Sequence, residues 1–344
     1  MTRRDIRDVL RRPVVVAPMA AGPSTVELVV AAAGAGAMGV LAAGYKTASA
    51  VAAEIAAVRA VTSDPFGVNV FVPAAPFADT GAIARYLDSL APDTEVVGVT
   101  LGEPTWDDDG YGAKIAALLA DPPPMVTFTF GCPSEEVIAA LQDAGSVVAV
   151  TVTCPEEALA AAAAGVDALC AQGFEAGAHR GTFSNDDTPG RDYGLLALVG
   201  EIARVTDLPQ VAAGGIMHPD QLSAVLVAGA VAAQCGTAFL RCPESGAHPV
   251  HKAALIDPRF KATALTRAFS GRTARGLVNR FVLDHADAPA AYPEINNATR
   301  PLRTAAAASD DAEHMSLWAG QGYRSATDRP AGELIEWLCS TAPE

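Results

Sequence analysis

The sequence is short of basic residues: 24 Lys and Arg stand against 39 Asp and Glu, for a net charge of −15 over 344 residues. Nucleic acid and anionic membrane surfaces both need clustered cations, so neither is expected as a partner. A small anion, which a few backbone N–H groups can hold, stays open. The six cysteines (Cys132, Cys154, Cys170, Cys235, Cys242, Cys339) never form a C-x-x-C pair. That removes the usual spacing of a zinc or dithiol site and points to reduced thiols, and no metal is expected. No G-x-S-x-G occurs, so a hydrolase elbow has no support. No G-x-G-x-x-G follows the first apolar run, which ends in "APMAAGPST", so a Rossmann dinucleotide site lacks its fingerprint. The charged start "MTRRDIRDVLRRP" has no apolar h-region. The uncharged windows from Leu28 to Tyr45 and from Ser223 to Leu240 are broken by glycines into a helix followed by a strand. A soluble, cytoplasmic chain is the expectation.

What the chain does contain is a repeated joint. "AGAMGVLAAG", "AGSVVAVTVT", "AGVDALCAQG" and "AGAVAAQCGT" each follow an Ala-rich amphipathic run and open a short apolar one. Gly36, Gly145, Gly165 and Gly229 fit the position just past a helix end, where positive φ is needed. The apolar runs do not alternate, as expected of parallel strands covered on both faces. Strands are predicted near 13–18, 38–42, 66–72, 125–130, 147–152, 167–171, 209–213 and 231–235. Helices are predicted near 24–35, 47–62, 133–144, 155–164, 194–206 and 218–228. The run "VVGVTL" (96–101) also reads as a strand but is set aside, because the turn-rich "GEPTWDDDGYGAK" behind it is no short βα loop. The sum is a (β/α)8 TIM barrel, with an open doubly wound sheet as the competing architecture. The barrel core is assigned to residues 1–240. Residues 241–344, without a βα repeat, read as a mostly helical extension packed on or near it.

In such barrels the site lies at the C-terminal ends of the strands. Met19, Asn69, Gln172 through His179, Gly214, Gly215, and Gln234, Cys235, Gly236 and Thr237 fall there. "AAGGI" and "QCGT" put bare amides after the seventh and eighth strands, a common phosphate site in these folds. His179 follows glycines in a loop at that face, where an imidazole serves as base or hydrogen-bond donor. Glu175 and Arg180 are expected to brace the loop. His248 and His251, an H-x-x-H pair without a third ligand, read as ordinary helix surface, and "DDD" (107–109) as a solvated turn.

"APMAAGPSTVELVVAAAGAGAMGVL", "GVNVFVP", "FTFGCPS", "AQGFEAGAHRGTF", "VAAGGIM", "QCGTAFL", "TALTRAFSGRTARGLVN" and "MSLWAGQGYR" follow one another over nearly the whole chain. Together they resemble the nitronate monooxygenases, formerly called 2-nitropropane dioxygenases, and the tail ("YPEI", "PLR", "LWAGQG") is similar to the class I branch. The resemblance implies a barrel with bound FMN. It also implies oxidation of alkyl nitronates by O2 to a carbonyl compound and nitrite, with propionate 3-nitronate as substrate and detoxification as the role. It puts FMN against Met19, Asn69, Gln172, Gly177, Gly215 and Gln234 to Thr237, and His179 on the active-site histidine. Two departures stand out. Ala178 replaces the second glycine of E-A-G-G-H, which demands a negative φ there. Asn296 and Asn297 stand after "YPEI" where an aromatic or histidine is expected to face substrate. The competing functions are an FMN-type, NAD(P)H-dependent enoyl-acyl carrier protein reductase and an FMN-binding barrel without turnover.

Overall fold

The computed structural model describes residues 5–186 and 192–342. Eight parallel strands close a barrel in the order β1 (Val14–Val16), β2 (Met38–Ala42), β3 (Phe66–Phe71), β4 (Met125–Thr129), β5 (Val147–Val152), β6 (Ala168–Gln172), β8 (Gln210–Ala213) and β9 (Ala232–Cys235). Closure is made by β1, whose Val15 pairs with Met38 of β2 and with Gln234 of β9. Every residue of β2 and β5 is buried, as the unbroken apolar runs require. The four joints behave as their sequence dictates: φ is 78° at Gly36, 99° at Gly145, 93° at Gly165 and 108° at Gly229. One stretch, Gly34 to Gly39, has the G-x-G-x-x-G spacing. It ends one helix and opens β2, the reverse of the strand-to-helix order a dinucleotide site needs.

The expected helices form as α1 (Val26–Gly34), α2 (Ala48–Val61), α6 (Glu135–Asp143), α7 (Pro155–Ala164), α8 (Leu195–Ile202) and α9 (Pro219–Val227). Thr25, Thr47 and Ser134 cap the first three through their hydroxyls. Between β3 and β4 the chain makes three helices that the sequence reading left unassigned, α3 (Thr80–Ser89), α4 (Ala91–Val97) and α5 (Tyr111–Ala120). The run 96–101 is accordingly a helix end and a coil, not a ninth barrel strand. The "DDD" turn is not wholly solvated: Asp109 accepts a hydrogen bond from the Tyr45 amide at 2.9 Å and pairs with the buried Lys114 at 2.6 Å.

After β9 the chain continues through α10 (Pro249–Ala254), α11 (Arg280–Asp284), α12 (Glu294–Ala308) and α13 (Ala331–Leu338), with strands β10 (Thr263–Thr266) and β11 (Ala274–Leu277) between the first two. These strands join the two-residue β7 (Ala178–His179) in a small antiparallel sheet. Val15, Met38, Val40, Met125 and Val147 fill the barrel interior with Ile6 from the N-terminal 3-10 turn. Ile83 and Tyr86 from α3 and Leu90 at its end share another core with Phe269, Phe281, Ile295 and Leu302 of the tail. Among the described residues no helix is long and apolar enough to cross a membrane.

Candidate active site

One cavity of about 240 Å³ opens at the C-terminal ends of the strands. It is lined by Met19 after β1, Asn69 on β3, Gln172 at the end of β6, Gly177 and His179 in the following loop, Gly214 and Gly215 after β8, and Gln234, Cys235, Gly236 and Thr237 at and after β9, whereas Gly173, Phe174 and Glu175 of the same loop lie outside the lining. The barrel brings together the ends of β1, β3, β6, β8 and β9, which lie far apart in sequence between Met19 and Thr237.

The loop that carries His179 is held from several sides. Gln172 Nε2 donates to the His179 carbonyl at 3.1 Å, and its Oε1 accepts from the Gly181 amide at 2.8 Å. The buried Arg180 donates to the carbonyls of Gln172 and Gly173 at 3.2 and 2.8 Å. Both carboxylate oxygens of Glu175 accept from the Leu195 amide at 3.0 Å, at the start of α8. Glu175 and Arg180 therefore brace the loop, as expected. Ala178 departs from expectation: its φ is +63°, not negative. Pairing of His179 with Ala274 and of Ala178 with Arg275 holds it there, offsetting a left-handed penalty of about 1–2 kcal/mol.

His179 Nε2 lies 2.8 Å from Ser270 Oγ. The rings of Phe130, Tyr292 and Trp318 surround the imidazole with centroids 5.5 to 5.8 Å away. Burial, then the guanidiniums of Arg272 and Arg303, push its pKa down to about 3. The imidazole is neutral at any ordinary pH.

Across the cavity the glycine loops offer donors. Among the described residues none accepts a hydrogen bond from the amides of Gly215, Gly236 or Thr237. An anion is the natural partner for such amides. A helix, α9, follows the first loop, whereas only a 3-10 turn (Thr237–Phe239) follows the second. The tail closes over this corner. A Cβ at Gly177 would lie 2.5 Å from the Gly320 amide nitrogen, so only glycine lets the two backbones touch. Thr237 Oγ1 accepts from the Gly320 amide at 2.9 Å.

Apart from Asn296, several lining residues were not singled out from the sequence. Tyr45, Asn296, Arg303, Ser316 and Trp318 line the cavity, and all but Tyr45 come from the extension. Asn296 reaches the cavity as the tail pattern implies, whereas Asn297 turns away to donate to Thr105 O and Asp107 Oδ2 at 2.8 and 2.7 Å. His251 is a correction. It is not helix surface but a buried lining residue whose Nε2–H donates to the Trp318 carbonyl at 3.0 Å, and burial lowers its pKa to about 4. His248 caps α10. Among the described residues no group of His, Cys, Asp and Glu could hold a metal.

Residues 4–341 match the family model described as nitronate monooxygenase. A nitronate monooxygenase of Paraburkholderia phytofirmans is 39% identical over 95% of this chain and 91% of its own. One from Pseudomonas aeruginosa is 40% identical over 96% and 95%. Among solved structures, a nitroalkane oxidase from Streptomyces ansochromogenes superposes with a TM-score of 0.94 at 52% identity, covering 97% of this chain and 96% of that one. FabK from Thermotoga maritima, at 24% identity, shares the fold with a TM-score of 0.71 over 98% and 95% of the two chains.

Proposed function

The chain belongs to the nitronate monooxygenase family, flavin-dependent oxidoreductases that act on nitronates with O2, and from that premise we propose that it uses FMN to oxidise propionate 3-nitronate. The observation that carries the proposal is the convergence of free amides and a neutral histidine in one cavity. The amides of Gly215, Gly236 and Thr237 suit the FMN phosphate, because a dianion satisfies donors that the protein leaves unpaired. Met19 would pack beside the ring, with Gly177, Gly214, Gln234 and Cys235 completing the walls. Asn69 Nδ2 spends its hydrogens on Thr127 Oγ1 and Thr129 Oγ1 at 2.9 and 3.0 Å, which leaves Oδ1 to accept a hydrogen bond from the flavin. Gln172 is tied to its own loop, so it would set the loop's height over the flavin and donate only its remaining amide hydrogen. When bound, the flavin supplies electron acceptance from the nitronate and reactivity toward O2.

His179 would touch the substrate. A group with a pKa near 3 is a weak base, so it suits a nitronate that arrives already ionised better than a neutral nitroalkane that must be deprotonated. Arg272 and Arg303 make the surroundings electropositive, which favours an anion. The extension, residues 241–344, would act as the cover that closes the substrate side. Consumption of a toxic nitronate would make the role detoxification. The similarity to a nitroalkane oxidase supports a second reading, in which neutral nitroalkanes are also substrates. Oxygen uptake separates these readings. Turnover with pre-ionised propionate 3-nitronate but little with 3-nitropropionate held in its neutral nitro form is expected. Equal rates favour the second reading, and NADH-driven flavin reduction without nitronate-dependent uptake would overturn both.

A further inference from the structure

Two guanidiniums sit beside this cavity with no ion pair to a carboxylate among the described residues: that of Arg272 is buried, and that of Arg303 is half-buried with its Nε shut off from solvent. Arg272 is 1% exposed, lies 4.0 Å from the Phe130 ring centroid and donates to the Thr182 carbonyl. Arg303 lines the cavity itself. In a chain of net charge −15, counter-ions are not scarce, and leaving a buried cation without one is unfavourable unless a ligand provides it.

We propose that Arg303, oriented by Asn296, reads a carboxylate at the far end of the substrate and so selects nitronates that carry a second negative charge. The inference rests on the nitronate reading of the cavity. Asn296 and Arg303 lie seven residues apart on α12 and therefore share a face. Arg303 Nη2 donates to both the backbone carbonyl and Oδ1 of Asn296, at 2.8 and 2.9 Å. That grip uses up one nitrogen. Nε is buried without a partner, and Nη1 has no acceptor among the described residues. An aromatic or imidazole ring at position 296 could not offer a side-chain carbonyl, so the departure from the expected tail pattern and the orientation of Arg303 are one feature. The free amides and His179 belong to the strand ends and the loop after β6, whereas Arg303 comes from the extension. A short substrate bridging the two walls puts its reacting nitronate on the barrel side and its other end on α12. Charge-assisted hydrogen bonds from a guanidinium to that end would discriminate strongly against an analogue without the charge.

The test compares kcat/KM for propionate 3-nitronate and propyl-1-nitronate, which has a methyl group in place of the carboxylate, in FMN-loaded enzyme. The wild type is expected to favour the carboxylated substrate. Arg303→Met is expected to lower that preference by about 10- to 100-fold, mainly through KM, and Arg303→Lys to recover part of it. Asn296→Ala should shift the same ratio in the same direction by a smaller factor, with KM moving more than kcat. Equal losses on both substrates in Arg303→Met, or no preference in the wild type, would overturn the proposal. If the wild type oxidises neither nitronate, the parent reading fails, and the role of Arg303 is then judged by malonate binding followed through Trp318 fluorescence. Tighter binding to the wild type than to Arg303→Met supports a carboxylate site, and equal binding refutes it.

Discussion

His179 shows how much one side chain's chemistry depends on what surrounds it. In water an imidazole titrates near neutrality, but here burial and two guanidiniums hold it neutral down to about pH 3. The role proposed for it is then to present a fixed, uncharged hydrogen-bonding group, with Ser270 Oγ at 2.8 Å from its Nε2. His179→Asn keeps a polar group of similar reach but loses the imidazole. Turnover of the nitronate is expected to drop by about 100-fold or more, while the visible spectrum still reports bound FMN. Wild-type turnover in that variant would contradict the role given to His179. The residue scale is also where the sequence was partly illegible. Glycines flanking a histidine after a strand marked His179, but Ala178 at φ +63° contradicts what side-chain sterics alone imply. Its conformation is set by β11, which comes nearly a hundred residues later and is not readable from the loop.

At the scale of elements, the βα repeat was legible because each joint states its own rule: an Ala-rich helix, a glycine at positive φ, then an unbroken apolar strand. The α3–α5 insertion and the β10–β11 hairpin were not, since they lie outside the βα repeat, although Ile83, Tyr86, Leu87 and Leu90 do recur at helical spacing. The α3–α4 region packs on the tail, the hairpin pairs with the loop that carries His179, and α5 packs on the barrel helices α2 and α6. Arg303 was invisible for the same reason, as only the docking of α12 brings it to the cavity. The meeting of the loop after β6 with residues 319–322 is the joint that shapes the site. Gly177→Ala would place a methyl 2.5 Å from the Gly320 nitrogen and force the backbones apart. A destabilisation of about 1–3 kcal/mol is expected, together with weaker FMN retention on dilution. Urea unfolding and flavin release by filtration check both, and an unchanged midpoint with full retention would show that the two backbones need not touch.

For the whole molecule, burying neutral histidines links stability to acid. His179 and His251 have folded-state pKa values lowered to about 3 and about 4, by burial first. The unfolded chain therefore binds more protons below about pH 6.5, and stability falls as pH drops from there toward the folded values. Each histidine contributes up to about 1.4 kcal/mol per pH unit in that window. The urea midpoint should fall between pH 7 and pH 5, and less steeply in His179→Asn. A midpoint independent of pH would show that neither histidine is buried neutral. The same architecture that excludes protons from His179 places free amides, the histidine and an uncompensated arginine around a single cavity. The central claim is that this cavity holds FMN and delivers nitronate electrons to it. The most direct measurement is the visible absorption spectrum of the purified, FMN-loaded protein before and after anaerobic addition of propionate 3-nitronate. The account predicts a flavin spectrum that changes on nitronate addition and recovers when air is admitted. A protein that cannot be loaded with FMN, or a flavin spectrum that nitronate leaves untouched, would contradict it.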